Sequence, residues 1–531
     1  MSTGTAAAGA VEWRPRYNPW LIAVTVALAA FMEVLDTSIA NVALPHIAGN
    51  LSASNDESTW VLTSYLVSNA IVLPISGWLA GTLGRKRFFM ACLFLFTLSS
   101  LLCGIAPSLA TLLVARVIQG AGGGGMQPMA QAILADIFPP QQRGLAFALY
   151  GITTIMAPTI GPTVGGWITD NYSWRWIFFI NLPVGIITLF LILQLVEDPP
   201  HVARLKGAGL RLDYIGVGLL VLGVGALQIM LDKGQEDDWF GSNFITTLAI
   251  VAVVCLTLLV IWEWFQKEPI IEVRLFRNLN FLSANVMMFM LGVVLFASVV
   301  LLPQFLQTLM GYTAENAGLA LSAGGLIILF MMPIVGQLST RIQARYIIAT
   351  GWLTLVCAMA YSAFRLDLDI SFSVAAWLRV AQVIGIGFLF VPITLAAYVG
   401  MPAGKSNSVA GMVNFMRNIG SSVGTSVVTT LAVRRAQFHQ VHLVSRMAPD
   451  NPTFQAQWRA LSQRLADAGL GDYEARRQAL ARMYRMVQNQ AQTLAYVDTY
   501  WVLAALAAVM FCLSFLLKRN APGGGGEVVA H

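Results

Sequence analysis

Glu33-Val34-Leu35-Asp36-Thr37-Ser38-Ile39-Ala40-Asn41-Val42-Ala43-Leu44-Pro45 lies inside the first long apolar run of the chain, which begins near Trp20. On a helix its two carboxylates, at i and i+3, sit one turn apart on neighbouring faces. A charged side chain at bilayer depth costs at least about 2.5–3.5 kcal/mol on insertion scales, and such residues mark function by default. The other acidic residues fall in loops or at helix ends, apart from Glu263 late in its helix. Asp36 is therefore the leading candidate proton carrier and Glu33 the second. The competing reading of Asp36 is a structural ion pair with Arg116.

The surrounding composition sets the class. Of 531 residues, 57% are hydrophobic and only 11% charged, against roughly 25% charged in soluble domains. The fold expected is an all-α polytopic membrane protein. The net charge of +6 does not point to nucleic acid, because most Lys and Arg sit in short loops, where they set topology. The five cysteines stand singly in apolar runs with no CxxC or Cys/His cluster, so no disulfide, metal or cofactor is expected. Residues 1–17 are polar, and the run that follows carries two acids and is too long for a signal h-region, so a retained helix is expected.

Fourteen windows have the roughly 20-residue length that crosses the hydrocarbon. They lie near 18–44, 59–81, 88–106, 109–135, 143–168, 176–196, 213–231, 243–265, 281–307, 316–338, 346–364, 372–399, 406–433 and 497–517. Arg85, Lys86 and Arg87, then Arg204, Lys206 and Arg211, then Lys267, Arg274 and Arg277, then Arg341 and Arg345, and finally Lys518 and Arg519 follow even-numbered windows. By the positive-inside rule both termini are expected in the cytoplasm. The segment 434–496 then faces outward. Asn451-Pro452 reads as an N-cap with Pro at N1, ahead of an apolar stripe at Trp458, Leu461 and Leu465. Asp472 reads as the cap of a second helix with Leu480, Met483 and Val487 on one side. The segment is expected to be a helical hairpin over the outer mouth or a docking surface for a partner.

An internal repeat is visible. Pro74-Ile75-Ser76-Gly77-Trp78-Leu79 recurs as Pro333-Ile334-Val335-Gly336-Gln337-Leu338, Arg116-Val117-Ile118-Gln119 as Arg379-Val380-Ala381-Gln382, and Gly161 as Gly424. The division expected is a six-helix bundle in 1–200, a two-helix insertion in 201–275, and a second six-helix bundle in 276–531 carrying the outward segment. Two such bundles imply a central cavity at their interface.

These residues resemble the major facilitator superfamily, and within it the fourteen-helix drug:proton antiporters of the EmrB type. Leu35-Asp36-Thr37-Ser38-Ile39-Ala40-Asn41-Val42-Ala43-Leu44-Pro45 matches the family's first-helix motif, with Ser38 for the usual Thr. Arg116 to Gly120 matches R-x-x-Q-G, and Ala157-Pro158-Thr159-Ile160-Gly161-Pro162-Thr163-Val164-Gly165-Gly166 matches the fifth-helix antiporter motif. Trp174 to Pro183, Leu302-Pro303-Gln304 and Gly311-Tyr312-Thr313-Ala314 are similar as well. One motif departs: after the second helix, Gly81 and Thr82 replace the family's Asp and first Arg, which puts the latch built on that Asp in doubt. Glu33 lies outside the family motif.

The resemblance implies a major facilitator fold of two six-helix bundles plus two extra central helices. It implies a bacterial inner-membrane antiporter that exports hydrophobic or amphipathic drugs and toxic compounds against protons. It also implies an EmrA-like periplasmic adaptor and an outer-membrane channel as partners, which the tail Gly523 to His531 and the outward segment fit. A dedicated exporter of one metabolite (a siderophore, fatty acid or amino acid) is the alternative. An enzyme is not expected: no His/Cys/carboxylate cluster, nucleophile motif or cofactor loop is present. The fifth-helix motif argues against an uptake symporter, and the repeat against a channel.

The coupling set expected is Asp36, Glu33 and Arg116, in which burial raises a carboxyl pKa and a nearby cation lowers it. Pro158, Gly161, Pro162, Gly165 and Gly166 are the candidate gate, with close packing as the competing reading. Asn41, Gln119, Gln382 and Asn414 are candidates for substrate contact or hydrogen bonds between helices, and Arg379 and Arg417 for structural bonds. Gly122 to Gly125 with Pro128 read as packing positions, since the Lys-Ser/Thr of a phosphate loop is missing.

Overall fold

The computed structural model describes residues 15–198, 213–402, 404–448 and 450–517. The basic loop at 204–211, the boundary expected near 200, Lys518 with Arg519, and the tail 523–531 lie outside the described residues. Among the described residues all regular structure is helical. A first group comprises α1 Pro19–Asn50, α2 Asn55–Leu83, α3 Arg85–Gly104, α4 Leu109–Ile137, α5 Pro140–Asn171, the single turn α6 Trp176–Phe179 and α7 Asn181–Leu195. Next come α8 Tyr214–Lys233 and α9 Asn243–Phe265. A second group comprises α10 Leu279–Thr308, α11 Ala314–Leu338, α12 Ala344–Arg365, α13 Phe372–Tyr398, α14 Ser406–Val444, α15 Pro452–Asp467 and α16 Asp472–Ser514.

Local chemistry sets the boundaries. Ser54 and Glu57 form a capping box at the start of α2, Ser108 caps α4 through the Thr111 N–H, and Asn278 caps α10 through the Asn280 and Phe281 N–H groups. Twelve helical segments are long and apolar enough to cross a membrane. The remaining two of the expected fourteen, α4 and α14, have 29 and 39 residues. Glycines and polar side chains, needed for close packing and for the site below, hold down their hydropathy.

The repeat seen in the sequence is also a repeat of packing. α1 packs on α5 as α10 packs on α14, α2 on α4 as α11 on α13, α3 on α4 as α12 on α13, and α3 on α7 as α12 on α16. The two groups meet along α5 and α11, and where α14 crosses α2 and α4. Gly144 and Gly336 lie backbone to backbone in the α5–α11 contact, where a Cβ on Gly144 would strike the Gly336 carbonyl.

The segment 434–496 is not a separate hairpin. α14 continues unbroken to Val444, and α16 runs 43 residues from Asp472 to Ser514. Neither 434–444 nor 472–514 contains a Gly or Pro to stop the helix. The Asn451 cap and Pro452 at N1 are as expected, but Gly471, not Asp472, precedes the first turn of α16. The stripe Trp458, Leu461 and Leu465 packs against Ala475 and Ala479, while Leu480 is exposed. Small residues win that face because the Trp458 indole lies close enough to donate to the Arg476 carbonyl (3.2 Å).

At the end of the molecule where α2 meets α3, polar side chains tie the groups together. Arg85 donates through Nη2 to Asp136 on α4 (2.6 Å) and through Nε to Asn407 on α14 (2.9 Å). Ser406 donates to the other Asp136 oxygen (2.8 Å). A latch therefore exists without the family's Asp, built on the Arg85 that the altered motif keeps. Arg85→Ala removes the guanidinium that joins Asp136 of α4 to Asn407 of α14. We expect lower thermal stability and faster labelling of a cysteine placed at Ser406, read by maleimide reactivity.

At the opposite end α8 touches both groups. Lys233 donates to Thr59 and to the Asp56 carbonyl (3.1 Å) on α2, while Gln228 donates to Ser422 on α14 (2.8 Å). Just beyond α8, Trp239 donates to Thr430 of α14 (3.0 Å).

Candidate functional site

Asp36 and Glu33, one turn apart on α1, are both buried but sit in different settings. Asp36 accepts three charged or amide donors: Arg116 Nη1 at 2.6 Å, Asn181 Nδ2 at 2.7 Å and Gln119 Nε2 at 3.0 Å. Arg116 is itself enclosed: its Nε donates to the Val61 carbonyl (3.0 Å) and its guanidinium lies 4.2 Å from the Tyr65 ring centroid. The break between α6 and α7 brings Asn181 to the site, where it also donates to Ser100 (3.0 Å). This carboxylate is paired and saturated.

Among the described residues Glu33 takes neutral hydrogen-bond donors and forms no direct ion pair. Its Oε1 accepts the Tyr65 hydroxyl (3.1 Å) and the Asn69 amide (3.0 Å) from α2, and its Oε2 accepts the Gln127 amide from α4. The glycine run of α4 makes room for this cage. A Cβ on Gly123 would stand 2.6 Å from the Tyr65 oxygen and 3.1 Å from the Asn69 nitrogen. Gly123→Ala should gain helix propensity, about 1 kcal/mol, yet push the Tyr65 hydroxyl off Glu33. We expect a protein of normal yield whose proton-driven transport falls, measured in proteoliposomes.

The cage continues across the group interface. Gln127 Oε1 accepts from Arg417 of α14 and from the Tyr150 hydroxyl of α5 (3.1 Å). The Tyr150 hydroxyl is also 3.1 Å from Asn414 Oδ1, and Asn414 Nδ2 donates to Gln131 (2.6 Å). Gln127 and Gln131 are four apart on α4, and Asn414 and Arg417 three apart on α14, so each pair occupies one helix face. Where a central cavity is expected from the repeat, these side chains fill the contact at this depth.

The fifth-helix motif packs mainly within the first group. Gly161 and Gly165 face Ser38 and Ile39 of α1. Pro162 has no N–H to offer the Pro158 carbonyl, and Ser38 supplies a hydroxyl there (3.2 Å). The Thr-to-Ser change of the first-helix motif thus keeps its hydrogen bond. A Cβ on Gly166 would meet no neighbouring element within 4 Å. Toward α11, α5 presents Thr159 and Thr163, close to Gly325 and Gly318. The face at the group interface is therefore made by residues other than the motif's glycines.

The remaining candidates separate. Arg379 is buried in the second group, where Nη1 donates to Ser298 (2.9 Å) while Nε and Nη2 have no hydrogen-bond partner among the described residues. Gln382 donates to Ser362 (3.0 Å). Asn41 lies on an exposed face away from the network. Tyr65, Asn69, Gln127, Gln131, Tyr150 and Asn181 are site residues that the sequence reading did not single out. Their signal was there: Tyr65 and Asn69, like Gln127 and Gln131, are polar pairs four apart inside apolar runs.

The Major Facilitator Superfamily profile matches residues 26–425. The chain belongs to the major facilitator superfamily. Across its length it is 36% identical to the multidrug export protein EmrB of Escherichia coli (strain K12), over 98% of this chain and 100% of that one. It is also 36% identical to the fatty acid resistance protein FarB of Neisseria gonorrhoeae, over 95% of this chain and 97% of that one. Among solved structures, the E. coli fucose:proton symporter FucP superposes with a TM-score of 0.56 at 13% identity, over 94% of this chain and 98% of that one. The superfamily's fold is thus shared at low identity, and this member is a multi-pass membrane protein.

Proposed function

We propose that this chain is a proton-driven exporter of hydrophobic or amphipathic toxic compounds, working by alternating access between its two helix groups. The observation that carries the proposal is the Glu33 cage: a buried carboxylate with neutral partners, placed where the first group meets the second. Similarity to EmrB over the full chain supports the substrate class. Glu33 takes the proton-carrier role in this reading. Protonating it removes a charge held only by neutral donors, whereas protonating Asp36 strands buried Arg116 without its anion. The Asp36–Arg116 pair then fixes α1 against α4, so that Glu33 keeps its place. The chain acts as a transporter with no chemical reaction of its own.

The reading places the chain in a bacterial inner membrane. Arg85, Lys86 and Arg87 follow α2, Lys267, Arg274 and Arg277 follow α9, and Arg341 and Arg345 follow α11, which in alternating spans supports a cytoplasmic assignment for the α2–α3 end and for both termini. The projecting parts of α14 and α16, with α15, then face the periplasm. They offer a surface for an EmrA-like adaptor leading to an outer-membrane channel.

Purified protein in liposomes with a trapped pH-sensitive dye tests the proposal. Ethidium and a long-chain fatty acid are added in turn under an imposed pH gradient. Protein-dependent collapse of the gradient by ethidium is expected. Collapse with the fatty acid alone, over its protein-free leak, supports a dedicated exporter. A gradient unaffected by either compound rejects both.

A further inference from the structure

Gln127 stands between two groups that constrain it in opposite ways. Ionised Glu33 has only acceptors to offer, so it requires the amide NH2 of Gln127. The Arg417 guanidinium has only donors, so it requires the amide oxygen. With Glu33 ionised both demands are met by one amide orientation, the one observed. The Tyr150 hydroxyl reinforces it by donating to the same oxygen.

We propose that Gln127 is a coupling relay: its amide reports the proton on Glu33 to Arg417, and so to the second helix group. This rests on the carrier role given to Glu33 above. When a proton binds on the Oε2 side, that oxygen becomes a donor facing an NH2. The amide resolves the clash by turning its oxygen to Glu33. Its NH2 then faces the Arg417 guanidinium, donor against donor, and the bond across the interface is lost. Asn414, one turn away on the same α14 face, loses its shared Tyr150 contact as α14 moves. The proton enters on Glu33 and leaves from Glu33; no other bond is made or broken covalently. Arg417 and Gln127 are positioning residues in this scheme.

The groups that bear on Glu33 come from every element around it. α1 carries Asp36, α2 carries Tyr65, α4 carries Arg116, α5 carries Tyr150 and α14 carries Arg417. α6 and α7 bring no titratable side chain. Of these, Arg116 is committed to Asp36, and Arg417 is joined to Glu33 through the single residue Gln127.

The test needs no substrate. Spin labels at Asn171 on α5 and Gln307 on α10, in full-length protein lacking its five cysteines, report the distance between the groups in lipid nanodiscs across pH. We expect a pH-dependent shift in this parent. Glu33→Gln should freeze the distribution in the low-pH form. Gln127→Leu and Arg417→Met should lose the pH response, and Arg417→Lys, which keeps a donor, should retain it. If Gln127→Leu and Arg417→Met keep the parent amplitude and midpoint, or offset the distance equally at every pH, the relay is overturned while the carrier stands. If Glu33→Gln itself keeps the pH response, the carrier reading has failed first, and the relay with it.

Discussion

Glu33→Gln is expected to abolish proton-driven export while leaving exchange of substrate across a membrane at equal low pH, where parent and variant hold the same form, within about twofold, a difference of less than 0.5 kcal/mol. The amide is nearly the same size, so its oxygen can keep Tyr65 and Asn69 while its NH2 meets the turned Gln127 oxygen, the arrangement given above to protonated Glu33. What it cannot do is gain and lose a proton. The split between the two assays is the signature: a structural residue would lower both together. Equal losses in both, or pumping that survives, would remove Glu33 from the carrier role. Asp36→Asn should not reproduce the split, because its effect falls on assembly.

The second large effect is at that pair. Arg116→Met leaves the buried Asp36 carboxyl without the guanidinium it pairs with, and breaking a buried pair from one side costs about 3–5 kcal/mol. Arg116 also bonds the Val61 carbonyl and covers the Tyr65 ring, so the loss spreads to α2 and to the Glu33 cage. We expect low membrane yield and a strongly reduced apparent Tm in detergent. Asp36→Asn alone should be destabilising too, since it strands the arginine. The double variant Asp36→Asn with Arg116→Met removes both charges. It should recover more than half of the stability lost by either single change, read as a double-mutant cycle in thermal unfolding. No recovery would mean that the Val61 and Tyr65 contacts of the arginine, and not the ion pair, hold the helices.

Much of this architecture is legible in the sequence because a membrane leaves a chain few options. Long apolar runs must be helices, and basic loops mark one face. The near-constant register of Pro74 with Pro333 and Arg116 with Arg379 returns as one packing order used twice. The Asp36–Arg116 contact is legible too, as two charges that apolar surroundings oblige to meet. The cage around Glu33 was harder to see. It draws one or two uncharged residues from each of several helices, and a lone Tyr or Gln in an apolar run reads as packing until its neighbours are known. Arg417 reads as a structural residue for the same reason, since its distance in sequence from any intramembrane acid hides the single amide between it and Glu33. In the segment 434–496 the helices after Asn451 and from Asp472 were legible, and what went unread is that α14 and α16 run on without a break. Its caps drew attention to new helices, while the absence of any breaker after Leu431 and after Asp472 was the stronger signal.

That unbroken run has a mechanical consequence. A helix of 43 residues is about 65 Å long, so with about 30 Å spent on the hydrocarbon some 35 Å of α16 stands clear of the bilayer. Arg435 of α14 holds Asp498 of α16 at 2.6 Å, and His439 holds the same carboxylate at 2.6 Å, so the projecting parts are pinned to one another near their base. The pair behaves as a lever rigidly mounted on the second group. Each degree that the group tilts carries the tip sideways by about 0.6 Å over that arm. A protein gripping α15 would therefore feel the transport cycle as displacement, and by the same lever could oppose it.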